Sequence, residues 1–248
     1  MEYRRLGRTG IEVSVLGVGL EHLQHKPESI EDVMNEAISL GVNYFDMLIS
    51  DEQDKDAVAR AIRGRRQDLV LAWHLGLAQT NGQYRRTRDV MECRALMDDL
   101  LSRLGTDYVD VLHLHNIDEP ADLDQVLAPG GVAELAQTLK RAGTARLIGY
   151  SGHDPKTALK AVESGVLDVI MHPITIPWPN REELLSACAR QGVGVIAMKT
   201  YAGGAIFTDR TPVSPAQCIS YSLAQPGVAT VPVGVKNLAE LHAALHYL

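Results

Sequence analysis

Asp46, His74 and His115 each close a short apolar run, in "NYFD", "DLVLAWH" and "DYVDVLHLH". A carboxylate and two imidazoles gathered at one place are able to move protons or orient a substrate carbonyl. With a further acid they are also able to hold Zn, Fe(II) or Mn, ions that accept mixed nitrogen and oxygen ligands. Two such acids are at hand, Glu21 after "VGL" and Asp51 after "MLIS". The expected metal set is Glu21, Asp46, His74 and His115, with Asp51 as a fifth candidate, and the expected catalytic set is Asp46, Asp51, His74 and His115. Carboxylates that share one pocket repel, so either one keeps its proton or a cation sits between them. His113, two residues before His115, faces the same way along an extended strand and is expected deeper, as a ligand or as support for one.

Each of these residues also has a plainer reading. Ser50 and Gln53 have capping-box spacing, and Asp51 and Glu52 would then be first-turn acids that suit a helix dipole. Glu21 reads equally as a solvated loop acid and His113 as a core histidine. His153 falls in a loop, and the alternation after Met171 turns His172 away from the strand end, so structural roles are expected for both. Cys93, Cys188 and Cys218 form no metal or disulfide pattern; they read as small buried hydrophobes in a reducing cytoplasm.

The elements that must position these residues follow from the alternation along the chain. Strand-length apolar runs at 12–20, 43–47, 68–74, 107–115, 145–151, 167–171, 193–199 and 228–234 alternate with helical patterns at 27–41, 51–63, 87–105, 131–143, 154–165, 180–192, 214–225 and 237–248. Asn180 and Glu183 are spaced as a capping box. Strands without polar alternation are covered on both faces by helices, which implies a parallel sheet. Eight β-then-α units in 248 residues, after a short N-terminal hairpin turned at "RTG", predict an α/β fold of the closed (β/α)₈ TIM-barrel kind as one domain over 1–248. Chemistry in such a barrel lies at the C-terminal ends of the strands.

Bulk composition narrows the partners. A net charge of −7 argues against a nucleic-acid or anionic-membrane surface. No run of about 18 apolar residues is present to cross a membrane. The start, "MEYRRLGRTG", has no apolar stretch behind its charges, so a signal peptide is not expected and a cytoplasmic location is.

The opening "YRRLGRTGIEVSVLGVG", the strand "NYFD", "RLGTDYVDVLHLHN", "GVIAMKTYAGG" and "SPAQCISYSLAQPGVATVPVGVKNLAEL" together resemble the aldo-keto reductases over nearly the whole chain. The resemblance implies a (β/α)₈ barrel, NADP(H)-dependent carbonyl reduction, and an Asp, Tyr, Lys, His tetrad at the strand ends. On this sequence the family's Asp falls at Asp46 and its His at His115, but the Lys position is His74 and the Tyr position is Asp51. Tyr84 and Tyr201 are loop tyrosines able to replace the missing donor. The cofactor positions are thinned. Ser151-Gly152 stands for a Ser-Asn pair, Met171 for an amide-binding Gln, and Ala239, His242 and Ala243 for an Arg, Glu and Asn on the last helix. Kept are the turn with Gly203 and Gly204, the segment "VGVKN" with Gly234 and Lys236 at a helix start suited to an anion, and Lys199 as an anion contact. NADP(H) binding is therefore expected to be weakened. The chain stops after the last predicted helix, where many family members continue into a loop over the substrate; that roof is expected to be absent or supplied by a partner, so an oligomer is one expectation.

Three functions follow. The leading expectation is a barrel enzyme with a site rebuilt around His and carboxylate, using a divalent metal (Zn, Fe or Mn) for lyase, isomerase, hydrolase or oxidative chemistry on a small oxygenated substrate, a phosphorylated one included. The alternative is a divergent NADP(H)-dependent carbonyl oxidoreductase with Asp51 or His115 as its acid. The third is a non-catalytic binding protein.

Overall fold

Continuous apolar runs become strands buried on both faces, and that burial closes the sheet. In the computed structural model, which describes residues 1–80, 83–207 and 213–247, β1 (Tyr3–Arg5) and β2 (Glu12–Ser14) form an antiparallel hairpin. The first units follow as β3 (Leu16–Gly19), α1 (Pro27–Ser39), β4 (Tyr44–Met47), α2 (Glu52–Ile62) and β5 (Val70–Leu75). A second hairpin, β6 (Leu77–Thr80) and β7 (Gln83–Arg86), precedes α3 (Val90–Leu104) and β8 (Val109–Leu114). Then come α4 (Pro120–Leu127), α5 (Val132–Arg141), β9 (Ala145–Ser151), α6 (Pro155–Glu163), β10 (Val169–Pro173), α7 (Glu182–Gln191), β11 (Gly194–Met198), α8 (Pro215–Leu223), β12 (Val228–Gly234) and α9 (Leu238–His246). Strands β3, β4, β5, β8, β9, β10, β11 and β12 close a parallel barrel in that order, with β12 returning to β3. Among the described residues no helix is long and apolar enough to cross a membrane.

The interior is filled by side chains, as a barrel of this size requires. Val70, Ala72, Val111, Leu147, Val169, Met171, Ile196 and Ala229 pack together inside it, and Leu6, Ile11 and Val13 of the hairpin join that cluster. The hairpin therefore closes the N-terminal end, and the C-terminal ends are left for chemistry.

Several predicted boundaries move. The run 12–20 divides into β2 and β3, because the Ser14 amide donates to Asn43 Oδ1 and the Ser14 hydroxyl to the Leu16 carbonyl, which switches the chain from the hairpin into the barrel. Ser50 does not cap α2; Asp51 does, accepting from the Gln53 amide, while Ser50 Oγ donates to Gln79 Oε1. The Asn180–Glu183 box does not form either, since α7 starts at Glu182 behind Arg181 with no side-chain cap. The capping box that does form is Ser214 with Gln217, at the start of α8. The last predicted helix residue, Leu248, lies outside the described residues.

One ion cluster ties strands together beneath the barrel's outer layer. The fully buried Asp110 accepts from the Leu71 amide at 2.9 Å and from Arg146 Nη1 at 2.7 Å, and it pairs with Arg66 Nη2 at 2.8 Å. Asp110→Ala leaves a buried amide without its acceptor and two guanidiniums without their counter-charge. Its expected cost is about 3 kcal/mol, the lower end for breaking a buried ion pair because Arg146 is half exposed. Urea unfolding measures it, and a loss below about 1 kcal/mol, the size of one ordinary hydrogen bond, would contradict the account.

Candidate active site

Asp46 lies near the end of β4, His74 near the end of β5 and His115 just past β8, where its amide donates to the Leu75 carbonyl at 3.1 Å. Adjacent strand ends thus place three side chains side by side, all buried. Asp46 Oδ1 lies 2.9 Å from His74 Nε2, and His74 Nδ1 lies 3.1 Å from His115 Nδ1. The outer nitrogen of His115, Nε2, lies 2.8 Å from the hydroxyl of Tyr84.

Tyr84 arrives on the hairpin that follows β5. Gly76 makes the reversal, with φ +97°, and an added Cβ there would meet the Thr87 carbonyl at 2.8 Å. A side chain at that position would push the hairpin off the barrel rim. Leu77 and Ala78 are buried and anchor the hairpin, while Arg86 Nη1 donates to the Asn116 carbonyl at 2.7 Å and Arg88 Nη2 to the His115 carbonyl at 2.8 Å. Both arginines also pair with Asp122. The hairpin is thereby fastened to the segment that carries His115, and Tyr84, 54% exposed, stands at the open end of the row.

The tautomers follow from bonding. The Asp46 carboxylate only accepts, so His74 Nε2 carries a proton. In the neutral row His74 Nδ1 then accepts from His115 Nδ1–H, and His115 Nε2 accepts from the Tyr84 hydroxyl. Burial, reinforced by His74 and Arg88, pushes His115 down to about 2, so this ring stays neutral at working pH. His113 lies beneath His74 with ring centroids 5.0 Å apart. It is fully buried, neither ring nitrogen has a partner, and burial together with His74 lowers it to about 3. His172 also points into packed protein, donating through Nδ1–H to the Gly152 carbonyl, and His153 pairs with Asp118 at the surface.

All four ring nitrogens of His74 and His115, expected as metal ligands, are engaged, with Asp46, with each other and with Tyr84. Glu21 is elsewhere, in a short helical turn, with its carboxylate 4.0 Å from Lys199 Nζ across the rim. Among the described residues, Glu21, Asp46, His74 and His115 do not group within ligand distance. Asp51, expected to take part in catalysis, is held instead as the cap of α2 and lines a cavity of about 680 Å³ between α2 and α3. Tyr201 packs against Phe207 with ring centroids 5.7 Å apart and joins the core, away from the row.

The other expected contact residues are spread around the same rim. Ser151 is buried at the end of β9. Ala202, Gly203 and Gly204 form a turn with φ of 48°, 66° and 89°, and nothing lies within 4 Å of a Cβ added at either glycine. Gly234 ends β12. At the start of α9 the expected anion site is partly filled from within, because the Lys236 amide donates to Glu240 Oε2 and the Glu240 amide to Asn237 Oδ1.

By sequence Tyr84 is one of two loop tyrosines, with Tyr201. A signal for its placement was present: "NG" between "LAQT" and "QYRR" is the spacing of a two-residue hairpin turn. Residues 15–217 match the Aldo/keto reductase family. An L-galactose dehydrogenase of Arabidopsis thaliana is 29% identical, over 97% of this chain and 86% of its own. The uncharacterized oxidoreductase YqkF of Bacillus subtilis is 25% identical, over 97% of this chain and 89% of its own. The holo form of an aldo-keto reductase from Bacillus halodurans superposes with a TM-score of 0.82 at 25% identity, covering 100% of this chain and 90% of its own.

Proposed function

The chain belongs to the aldo-keto reductase family, and from that premise we propose that it is a nicotinamide-dependent oxidoreductase interconverting a small carbonyl compound and its alcohol, with Tyr84 as the acid. The carrying observation is the unbroken row Asp46–His74–His115–Tyr84, which runs from a buried carboxylate to a half-exposed phenol. It replaces the family's Tyr and Lys, which are absent from positions 51 and 74. This favours the reductase alternative over metal-dependent chemistry.

The donor set fits a nicotinamide nucleotide at its phosphates and sparsely at its carboxamide. Lys199, the open turn at Gly203 and Gly204, and the remaining amides at the start of α9 with Lys236 suit phosphate groups. At the other end Ser151 supplies one hydroxyl. Gly152 cannot carry an amide, because a Cβ there would meet Tyr150 Oη at 2.3 Å and the Ile117 carbonyl at 2.4 Å. Met171 is apolar and buried in the barrel interior. Two missing hydrogen bonds at about 0.5–1.5 kcal/mol each weaken binding by about 5- to 150-fold.

The nucleotide, when bound, supplies the hydride. Proton delivery belongs to the row. With one proton added, His74 carries hydrogen on both nitrogens and donates to Asp46 and to His115 Nδ1. His115 Nε2–H then donates to Tyr84, whose own hydrogen is free to point at a substrate oxygen. As Tyr84 gives that proton up, one proton moves from His115 Nε2 to the phenol and another from His74 Nδ1 to His115 Nδ1. The row ends in its neutral arrangement, one proton poorer, and oxidation of the alcohol runs the sequence backwards.

A panel of small aldehydes, ketones, aldoses and their alcohols, tested with NADPH, NADH and their oxidised forms, should show turnover by the change in reduced-nicotinamide absorbance. The kinship with L-galactose dehydrogenase places aldoses in the panel. Absence of turnover with every pair, together with absence of nucleotide binding by fluorescence titration at millimolar concentration, would leave the barrel as a binding protein.

A further inference from the structure

Asp54 is an anomaly the oxidoreductase reading does not use. It sits in the first turn of α2 with no exposed surface. Its Oδ2 accepts the His25 amide at 2.9 Å, but Oδ1 is buried without any partner. Among the described residues it pairs with no Lys or Arg; the neighbouring Lys55 is committed to Asp99 at 2.8 Å. A buried carboxylate with an unpaired oxygen costs several kcal/mol unless it is neutralised.

The groups around it are further ligand types. His25 and Asp51 present atoms that, with one from Asp54, all lie within 4.8 Å of one another, and His25 Nδ1 is 3.8 Å from Asp51 Oδ2. Tetrahedral coordination at about 2.0–2.1 Å places ligand atoms about 3.3–3.5 Å apart, so the three side chains need to close by at most about 1.5 Å. Asp51 keeps Oδ1 on the Gln53 amide, which leaves its Oδ2 free to turn toward the ion. His25 holds a left-handed backbone, φ 60°, and its amide bond to Asp54 keeps it there.

We propose that His25, Asp51 and Asp54 form a divalent-cation site that ties the loop before α1 to the start of α2. One imidazole and two carboxylates suit a borderline ion such as Zn²⁺ or Mn²⁺ better than Ca²⁺ or Mg²⁺, which prefer all-oxygen shells. The positive end of α2 opposes a cation, so the attraction comes from the two carboxylates. Burial and the nearby Asp51 charge raise the Asp54 carboxyl above its ordinary range, and an ion at the cluster would offset that cost by supplying opposite charge. His25 and Asp51 are accessible, so the remaining coordination positions are open to water. The ion's part is to join two rim loops; the proton row contains none of its ligands.

The test uses the full chain, freed of metal by chelation and dialysis and carrying no histidine tag. Isothermal titration with Zn²⁺ and with Mn²⁺ should give one ion per chain, with the stoichiometry confirmed by mass spectrometry. Asp54→Asn, which keeps the shape, and His25→Ala should each weaken binding at least tenfold while the metal-free variants remain folded by circular dichroism. His153→Ala, at an unrelated surface histidine, should bind as the wild type does. Failure of both ions to bind at one per chain, or wild-type binding in Asp54→Asn and His25→Ala, would overturn the proposal.

Discussion

Tyr84→Phe is expected to lower kcat for carbonyl reduction by about 10²–10⁴-fold, the usual worth of a positioned general acid. The change removes one oxygen from a half-exposed side chain whose hydroxyl contacts only His115 among the described residues, so the barrel should keep its stability. Nucleotide affinity should stay the same, because the rim groups assigned to phosphate and carboxamide lie on other elements. The loss should therefore fall on kcat and not on the nucleotide's dissociation constant. Tyr201→Phe is the control, since that ring packs into the core and its hydroxyl takes no part in the row. A Tyr84→Phe enzyme with wild-type kcat would show that the proton comes from elsewhere and would remove Tyr84 from the mechanism.

The second large effect is acid instability. His113, His115 and His172 are held to about 3, 2 and 3 in the folded chain, against 6.5 when unfolded, and burial is the leading cause for each. The unfolded chain thus binds protons below pH 6.5 that the folded chain refuses. Stability is fully present above that value and falls as pH drops toward the folded values, by up to about 1.4 kcal/mol per pH unit for each histidine. Three such groups give a slope approaching about 4 kcal/mol per unit, enough to exhaust a typical 5–15 kcal/mol within a few pH units. Glu92, Asp99, Asp118 and Asp154 are lowered carboxylates and act only nearer their own, more acidic range, while the raised Asp54 opposes the histidines and is outnumbered by them three to one. Urea unfolding at a series of pH values from neutral downward should show uptake of up to three protons. His113→Leu, which also removes two unpartnered nitrogens, should make the slope shallower by up to one. A stability that stays flat through this window would mean that water or local opening reaches these rings.

The barrel was legible in the sequence because its causes are local. A strand covered on both faces reads as an unbroken apolar run, a helix as a 3.6-residue period, and eight repeats of the pair leave few architectures. The positions of Asp46, His74 and His115 at successive strand ends follow from that same alternation. Helix starts were less legible, since Ser50–Gln53 and Asn180–Glu183 both have capping-box spacing and neither box forms, Ser50 being held by Gln79 while Asp51 caps α2.

What those residues do to one another was decided only in three dimensions. Types and spacing alone made two histidines and two acids read as a metal set, because a list of residues does not say which nitrogen faces which atom. The fold spends each ring nitrogen on a partner 28, 41 or 31 residues away, and the last of these partners rides on a hairpin that hinges at Gly76. Asp51 likewise reads as an ordinary first-turn acid until the His25 loop folds over the start of its helix and buries Asp54 with an oxygen unpaired. The sequence by itself determined which chemistry-bearing groups reach the rim, through burial and period that act over a few residues. Only the tertiary structure decided their pairing, because hydrogen-bond partnership depends on ångström-scale distances between segments that no local pattern relates.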